Sequence, residues 1–135
     1  MTSVAHLRVV RLRWLAIIAG PSAVLLIGSM LAIVFLPHPV PRNATAVQRT
    51  YFKYCAECHG ADGRGSWRAT LFALRPGNLT NPRTLSGLSD EYLFNLVKHG
   101  GAPIGRPGMP AFGYHLSDPE IRAVVDYVKA LSKPR

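Results

Sequence analysis

The longest apolar stretch of the chain lies near its N-terminus. Trp14 to Leu36 is a run of 23 residues without a charged side chain, and the residue before it is Arg13. A helix of that length extends for about 34 Å at about 1.5 Å per residue, and the hydrocarbon core of a bilayer is about 30 Å thick. The pattern therefore predicts a transmembrane anchor over 14–36, preceded by a basic segment over 1–13.

Three later segments carry apolar residues at helical spacing, with polar residues between them. Their apolar positions are Val47, Tyr51 and Tyr54, then Tyr92, Leu93, Leu96 and Val97, and finally Ile121, Val124, Val125 and Val128. Ser89 is the expected N-cap of the second helix, and Ser117 with Glu120 forms a capping box before the third. We expect an all-α domain in which the last helix packs across the helix around Tyr51.

The composition changes after the apolar run, where three prolines alternate with other residues in 37–41. Alternating prolines favour a stiff, extended chain, so 37–46 is interpreted as a linker to a domain of residues 47–135. His38 is interpreted as a solvated linker residue. Ala44-Thr45-Ala46 has the form of a processing site, so a cleaved signal peptide is the alternative to an uncleaved anchor, although such cuts usually follow the apolar region sooner.

The motif with the clearest chemistry is Cys55-Ala56-Glu57-Cys58-His59. Two cysteines at this spacing, followed directly by histidine, are typical of c-type haem attachment, with Cys55 and Cys58 as thioether positions and His59 as the proximal iron ligand. A thioredoxin-like redox pair and half of a zinc site are the alternatives. The chain has no further cysteine for a second zinc half-site, and no βαβ pattern surrounds the motif.

The surroundings of the expected haem are less clearly marked in the sequence. A ligating histidine usually donates its second N–H to an oxygen acceptor, and we expect the Pro76 carbonyl to be that acceptor. Apolar residues that could line a cofactor pocket are Trp67, Leu71, Phe72, Leu74 and Leu79. Arg75 and Trp67 could reach haem propionates. Alternatively, Arg75 could be solvated and Trp67 could be buried in the core.

The sixth iron ligand is predicted to be Met109. Met1 is the initiator and Met30 lies in the apolar run, so Met109 is the methionine that the domain can offer. Prolines and glycines around it predict a stiff, non-helical loop, and a thioether ligand stabilises reduced iron. The alternatives are a methionine that only fills the core, or a second histidine ligand, His99 or His115.

The charge distribution predicts the topology. The formal net charge is +9, with arginines before the apolar run and only Arg42 soon after it, so the N-terminus should stay in the cytoplasm. Covalent haem attachment outside the bacterial cytoplasmic membrane agrees with that orientation. We therefore expect a single-pass protein of the bacterial inner membrane with its haem domain on the periplasmic side. This location argues against nucleic acid as a partner, despite the basic composition.

Taken together, these motifs resemble the class I c-type cytochromes, specifically the bacterial membrane-anchored monohaem type. The resemblance covers about Val47 to Ser132 and is carried by Cys55 to Gly65, Met109 to Phe112 and Leu116 to Ile121. It implies a small helical fold wrapped around one covalently attached haem c, with its first and last helices crossing. The implied activity is one-electron transfer, not catalysis. The expected partners are the lipid bilayer and a quinol-oxidising complex, a terminal oxidase or a reaction centre.

Two further functions stay open on the sequence alone. The chain could be a haem subunit of a larger oxidoreductase complex instead of a free carrier, with the same chemistry but a fixed partner. It could also be a haem peroxidase or gas sensor, in which Met109 leaves the iron and an external ligand binds. Uptake of CO by the reduced protein would indicate a peroxidase or a gas sensor, whereas a six-coordinate carrier would not bind CO.

Overall fold

The computed structural model describes residues 2–133. In chain order the α-helices are α1 (Thr2–Phe35), α2 (Ala46–Tyr54), α3 (Ala56–His59), α4 (Trp67–Leu71), α5 (Pro82–Leu85), α6 (Asp90–His99) and α7 (Asp118–Leu131), with a 3₁₀ helix at Ala102–Ile104. The described residues contain no strand, so the expected all-α class is confirmed. The chain divides into two compact units, one up to Leu36 and one from Pro37 onward.

The first unit is the single helix α1, which begins well before the apolar run that predicted it. Its segment Arg13–Phe35 is long and apolar enough to cross a membrane. Pro21 lies inside the helix without ending it, as membrane-spanning helices often tolerate. Large apolar side chains of the segment, such as Leu25 and Met30, are mostly exposed, which suits a surface in contact with lipid.

The second unit begins with the proline segment that was interpreted as a stiff, extended linker, and this segment is held against the helices. The backbone N–H of His38 donates to Glu57 Oε1 at 3.0 Å, and the His38 Nε2 atom is buried, so His38 is not a solvated residue. Ala44 is buried. Thr45 caps α2: its hydroxyl accepts from Gln48 N at 3.3 Å, and its own N–H donates to Gln48 Oε1 at 2.8 Å. The small residues around 44–46 therefore have a structural role.

The longest helix of the domain, α7, packs across α2 as expected. The rings of Tyr51 and Tyr127 meet edge to face with centroids 5.3 Å apart. Ser117 and Glu120 form the predicted capping box at the start of α7, where the Ser117 N–H donates to Glu120 Oε2 at 2.9 Å. Ile121, which is fully buried, and Val124, which is nearly so, come from the predicted stripe of α7. This crossing places the end of α2, and hence the cysteine motif, against the core.

The buried stripe of α6 differs by one position from the prediction. Its N-cap is Ser89, as expected, because the Ser89 hydroxyl accepts from Tyr92 N at 3.1 Å. Tyr92 is nevertheless 40% exposed, whereas Phe94 is 5% exposed and packs with Ile121. The Arg122 guanidinium lies 4.3 Å from the centre of the Phe94 ring. Contact with α7 determines which face of α6 is buried. The spacing of apolar residues within α6 does not show that contact.

Candidate functional site

The cysteine motif forms a single helical turn at the junction of α2 and α3. Cys55 ends α2, where its N–H donates to the Tyr51 carbonyl at 2.8 Å, and it also begins α3. The His59 N–H donates to the Cys55 carbonyl at 2.8 Å. Both cysteines are partly buried free thiols, not a disulfide. One turn of backbone therefore carries Cys55, Cys58 and His59 together, as the predicted attachment chemistry requires.

The imidazole of His59 is held by a backbone carbonyl. Its Nδ1 atom lies 3.1 Å from the Gly77 oxygen, so Nδ1 carries the proton and donates, which leaves Nε2 as the atom available to a metal. The predicted acceptor, Pro76, is wrong by one residue. The Pro76 oxygen instead faces Gly65, 3.9 Å from where a Cβ on that glycine would stand. The peptide after Pro76 thus turns the next carbonyl toward His59.

Burial lowers the pKa of His59, and the hydrogen bond to Gly77 opposes that effect only in part. The ring is therefore neutral at neutral pH, which is the form of histidine that binds metal. Burial also raises the pKa of Cys55 to about 12, with a further contribution from Cys58. The pKa of Cys58 is raised by burial and then by Glu57. Thiols held in the protonated form do not suit a thioredoxin-like pair, whose reactive cysteine has a lowered pKa.

The loop that follows the motif folds back onto it. The Gly65 N–H donates to the His59 carbonyl at 2.7 Å, and the Ser66 N–H donates to the Cys58 carbonyl at 2.8 Å. Gly60 has φ of +80°, and a Cβ there would approach the Gly65 oxygen to 3.1 Å. Glycine suits Gly60 for both reasons. The turn satisfies the carbonyls at the end of α3, and so fixes the orientation of His59.

Met109 lies in the loop between α6 and α7 and is partly buried. Its carbonyl accepts from Gly101 N at 2.9 Å, and its N–H donates to the Arg106 carbonyl at 3.1 Å. Further along the loop, the Phe112 N–H donates to the Val97 carbonyl at 3.0 Å, which attaches the loop to the end of α6. The stiff, non-helical loop expected around Met109 is present. The role of Met109 as an iron ligand stays a prediction.

The two histidines considered as alternative iron ligands, His99 and His115, both lie at the surface of the domain. His99 is the last residue of α6 and is exposed. His115 is also exposed, and its ring stacks on that of Tyr54 at a centroid distance of 6.2 Å. Among residues 2–133, no three histidine, cysteine or acidic side chains are grouped as a metal site.

The residues around the motif fit a haem. Large apolar side chains on the segments next to the motif and to the Met109 loop have little cover from protein: Trp67 is 54% exposed, Phe72 is 63% exposed and Ile104 is 44% exposed. Trp67 is therefore not a core residue. Leu74 would lie 2.6 Å from a Cβ on Gly108, so these two segments are neighbours. A flat apolar macrocycle bound beside them would cover surface that is costly to leave in water.

Tyr51 and Gly77 support the site, but neither support was predicted. Tyr51 was recognised only as an apolar helix position, and its hydroxyl donates to the Gly60 carbonyl at 2.8 Å in the interior. No local spacing rule connects residues nine positions apart in this way. Gly77 follows a proline, and the turn tendency of a Pro-Gly pair is a signal that could have identified it.

The helical domain, the cysteine-histidine turn and the neutral, oriented imidazole define a c-type cytochrome, a class whose haem c is bound covalently. The chain belongs to the family described as cytochrome c oxidase, cbb3-type, subunit III, which matches residues 42–128. The resemblance to class I c-type cytochromes is thereby confirmed. The family assigns a covalently bound haem c to this domain.

Similar proteins are subunits of two kinds of complex. The chain is 35% identical over 95 residues to the cbb3-type cytochrome c oxidase subunit CcoP of Rubrivivax gelatinosus, covering 69% of this chain and 28% of that protein. It is 33% identical over 85 residues to the gluconate 2-dehydrogenase cytochrome c subunit of Pantoea cypripedii, covering 58% of this chain and 18% of that protein. The chain thus spans less than a third of the length of these relatives.

A solved structure supports the fold. The KustC0563 c-type cytochrome matches with a TM-score of 0.56 at 22% identity, over 66% of this chain and 100% of that chain. At this level of identity the likeness concerns the fold alone. It confirms the expected cytochrome c-like helical fold.

Proposed function

We propose that this chain is a membrane-anchored monohaem cytochrome c subunit that passes single electrons within a membrane oxidoreductase complex. The observation that supports this best is the turn from Cys55 to His59, in which the imidazole is fixed by the Gly77 carbonyl. The chain itself is proposed to be an electron-transfer protein without a substrate of its own. An iron with two axial side-chain ligands has no open position for one.

The proposed attachment is one haem through Cys55 and Cys58, with His59 and Met109 as axial ligands. When bound, the haem supplies a reversible one-electron couple. The chain contributes rigidity: His59 is held through Nδ1, and the Met109 backbone is bonded on both sides, to Gly101 and Arg106. Ligands that cannot move between the two oxidation states keep the reorganisation small, and a thioether ligand raises the reduction potential.

The proposed location is the bacterial inner membrane, with the cytochrome domain on the periplasmic side. The apolar segment Arg13–Phe35 supports a single span. Arginines before it, with only Arg42 soon after it, support a cytoplasmic N-terminus. Anchoring in the membrane raises the effective concentration of the carrier near its partner, so the carrier does not have to diffuse through three dimensions to find it.

The proposed partner is a terminal oxidase. The name of the family and that of the Rubrivivax gelatinosus relative refer to cbb3-type oxidases, and both relatives are named as subunits. These names support a fixed subunit over a free shuttle. A quinol-oxidising complex and a reaction centre are the alternative partners.

The test is to express the full chain with a working cytochrome c maturation apparatus and to extract it in mild detergent. We expect a red protein whose mass exceeds that of the bare chain by one haem, and whose native size exceeds that of the detergent-bound monomer. The matched control, Cys55→Ala with Cys58→Ala, should lose the covalent haem. A colourless chain of bare mass contradicts the cofactor proposal, whereas a red monomer contradicts only the subunit proposal.

A further inference from the structure

The segment 37–41, called the strap below, lies beside the helix turn that carries the cysteines. The His38 N–H donates to Glu57 Oε1 at 3.0 Å. Glu57 stands between Cys55 and Cys58 in the motif. The strap is thus bonded to a residue of the attachment turn, although 19 positions of sequence separate the two partners.

Glu57 also binds the chain on its other side. Its Oε2 atom lies 3.4 Å from Arg68 Nη1, and the Arg68 side chain is only 14% exposed. One carboxylate therefore joins the strap, α3 and α4. A hydrogen bond to an ionised acceptor is stronger than one between neutral groups, and a partner that is mostly buried loses less of its attraction to solvent screening.

Apolar packing does not by itself explain why the strap stays in place. The strap residues Pro37, His38 and Val40 line a groove of about 460 Å³, together with Arg49, Phe52 and Lys53 of α2 and with Glu57. Val40 is 45% exposed. The groove leaves part of the strap without close contact to α2. The bond from the His38 N–H to Glu57 Oε1 is a specific polar hold on the first half of the strap.

A second attachment holds the chain just after the strap. The Ala44 N–H donates to the Pro41 carbonyl at 3.0 Å, and the Arg49 guanidinium donates to the Ala44 carbonyl. Ala44 itself is buried. The segment is therefore held at His38 by α3 and at Ala44 by α2, and the two prolines in between, Pro39 and Pro41, reduce its freedom.

We propose that the strap is a built-in clamp, closed by the bond from His38 to Glu57, which holds residues 37–41 against the haem-attachment turn of the cytochrome domain. Without the clamp, the chain would be free up to the attachment at Ala44. With it, residues 37–41 stay beside the turn that carries Cys55 and Cys58. The clamp is formed by contacts within this chain, so it does not depend on which redox partner the chain has.

The test follows the mobility of a nitroxide label at Pro39→Cys in the full-length, haem-loaded protein in detergent. Position 39 is exposed and outside the groove, and both native thiols are consumed by haem, so one label is introduced. We expect a slowly tumbling spectrum. Adding His38→Pro removes the N–H donor and should shorten the correlation time several-fold, whereas His38→Ala keeps the donor and should leave it unchanged.

Variants of the acceptor give an independent answer. Glu57→Gln keeps an oxygen for the His38 N–H and should keep the label slow, whereas Glu57→Ala should release it. Glu91→Ala, which removes a distant ion pair with Arg122, is the control and should have no effect. The clamp is refuted if the parent label tumbles freely, or if His38→Pro and Glu57→Ala both leave it slow. Labelling of more than one site per chain reports failed haem attachment instead.

Discussion

The Tyr51 hydroxyl donates a hydrogen bond to the Gly60 carbonyl at 2.8 Å, in a position where the tyrosine has no exposed surface. Burial raises the pKa of Tyr51, with a smaller contribution from Cys55, so the hydroxyl remains a donor at any ordinary pH. The bond joins α2 to the turn that ends the cysteine motif. It links the stability of the helix crossing to the geometry of His59.

Tyr51→Phe should therefore destabilise the haem-loaded domain. The change leaves a buried carbonyl without its donor, and we expect a loss of about 1–2 kcal/mol in the free energy of unfolding. Guanidinium denaturation followed by far-UV circular dichroism measures it. Tyr92→Phe, at an exposed position with no side-chain hydrogen bond among the described residues, is the control. Equal stability of Tyr51→Phe and the parent would contradict this role.

Met109→Ala should remove the sixth iron ligand. We expect the oxidised protein to lose the far-red charge-transfer band that a methionine sulfur gives, and the reduced protein to bind CO rapidly, because a coordination position opens. His99→Ala and His115→Ala are the controls and should keep the band. If the parent protein lacks the band, or if Met109→Ala keeps it, the ligand assignment is wrong.

Gly100 connects the end of α6 to the Met109 loop. It has φ of +76° and ψ of −179°, and a Cβ there would come within 2.8 Å of the Met109 carbonyl oxygen. Gly100→Ala should cost about 2–3 kcal/mol of stability and weaken the charge-transfer band, because the conformation is strained for alanine and the loop must move. Absorbance during thermal unfolding gives both quantities.

Gly87→Ala is the matched control for that variant. Gly87 also has a positive φ, +79°, but a Cβ there would have no atom within 4 Å. Gly87→Ala should lower the free energy of unfolding by only about 1 kcal/mol, which is the penalty for a positive φ at alanine. It should leave the charge-transfer band intact. If both variants perturb the band equally, contact with the Met109 loop is not the cause.

Glu120 should make the stability of the domain depend on pH. Its bonds to the Ser117 hydroxyl and N–H lower the pKa of Glu120 below its ordinary value. A carboxylate with a lowered folded pKa stabilises the protein above its unfolded pKa, and this contribution disappears as the pH falls through the folded value. Glu120→Gln should therefore lower the melting temperature near neutral pH and have less effect in acid.

Asp126→Asn supplies the control, because Asp126 lies exposed on the same helix with no ion pair among residues 2–133. Thermal melts of both variants over a range of acidic pH separate the capping effect from net charge. A melting-temperature difference for Glu120→Gln that is constant with pH would contradict the linkage.

Local patterns predicted whatever depends on neighbours in sequence. The cap at Ser89, the capping box of Ser117 with Glu120, and the turn from Cys55 to His59 each involve residues at most four positions apart, and the structure contains all three. The predicted buried face of α6 was wrong at Tyr92, because packing against α7 determines which side of α6 is buried. The choice of face is a property of the packed pair, not of one helix.

The sequence by itself determined the class of this protein, since the covalent chemistry of the attachment turn and the length of the apolar run are both encoded in contiguous residues. Only the tertiary structure decided which carbonyl orients His59, and that the proline segment binds Glu57. Those contacts join residues 18 and 19 positions apart. At such separations the folded path of the backbone, and not the identity of either residue, determines which donor meets which acceptor.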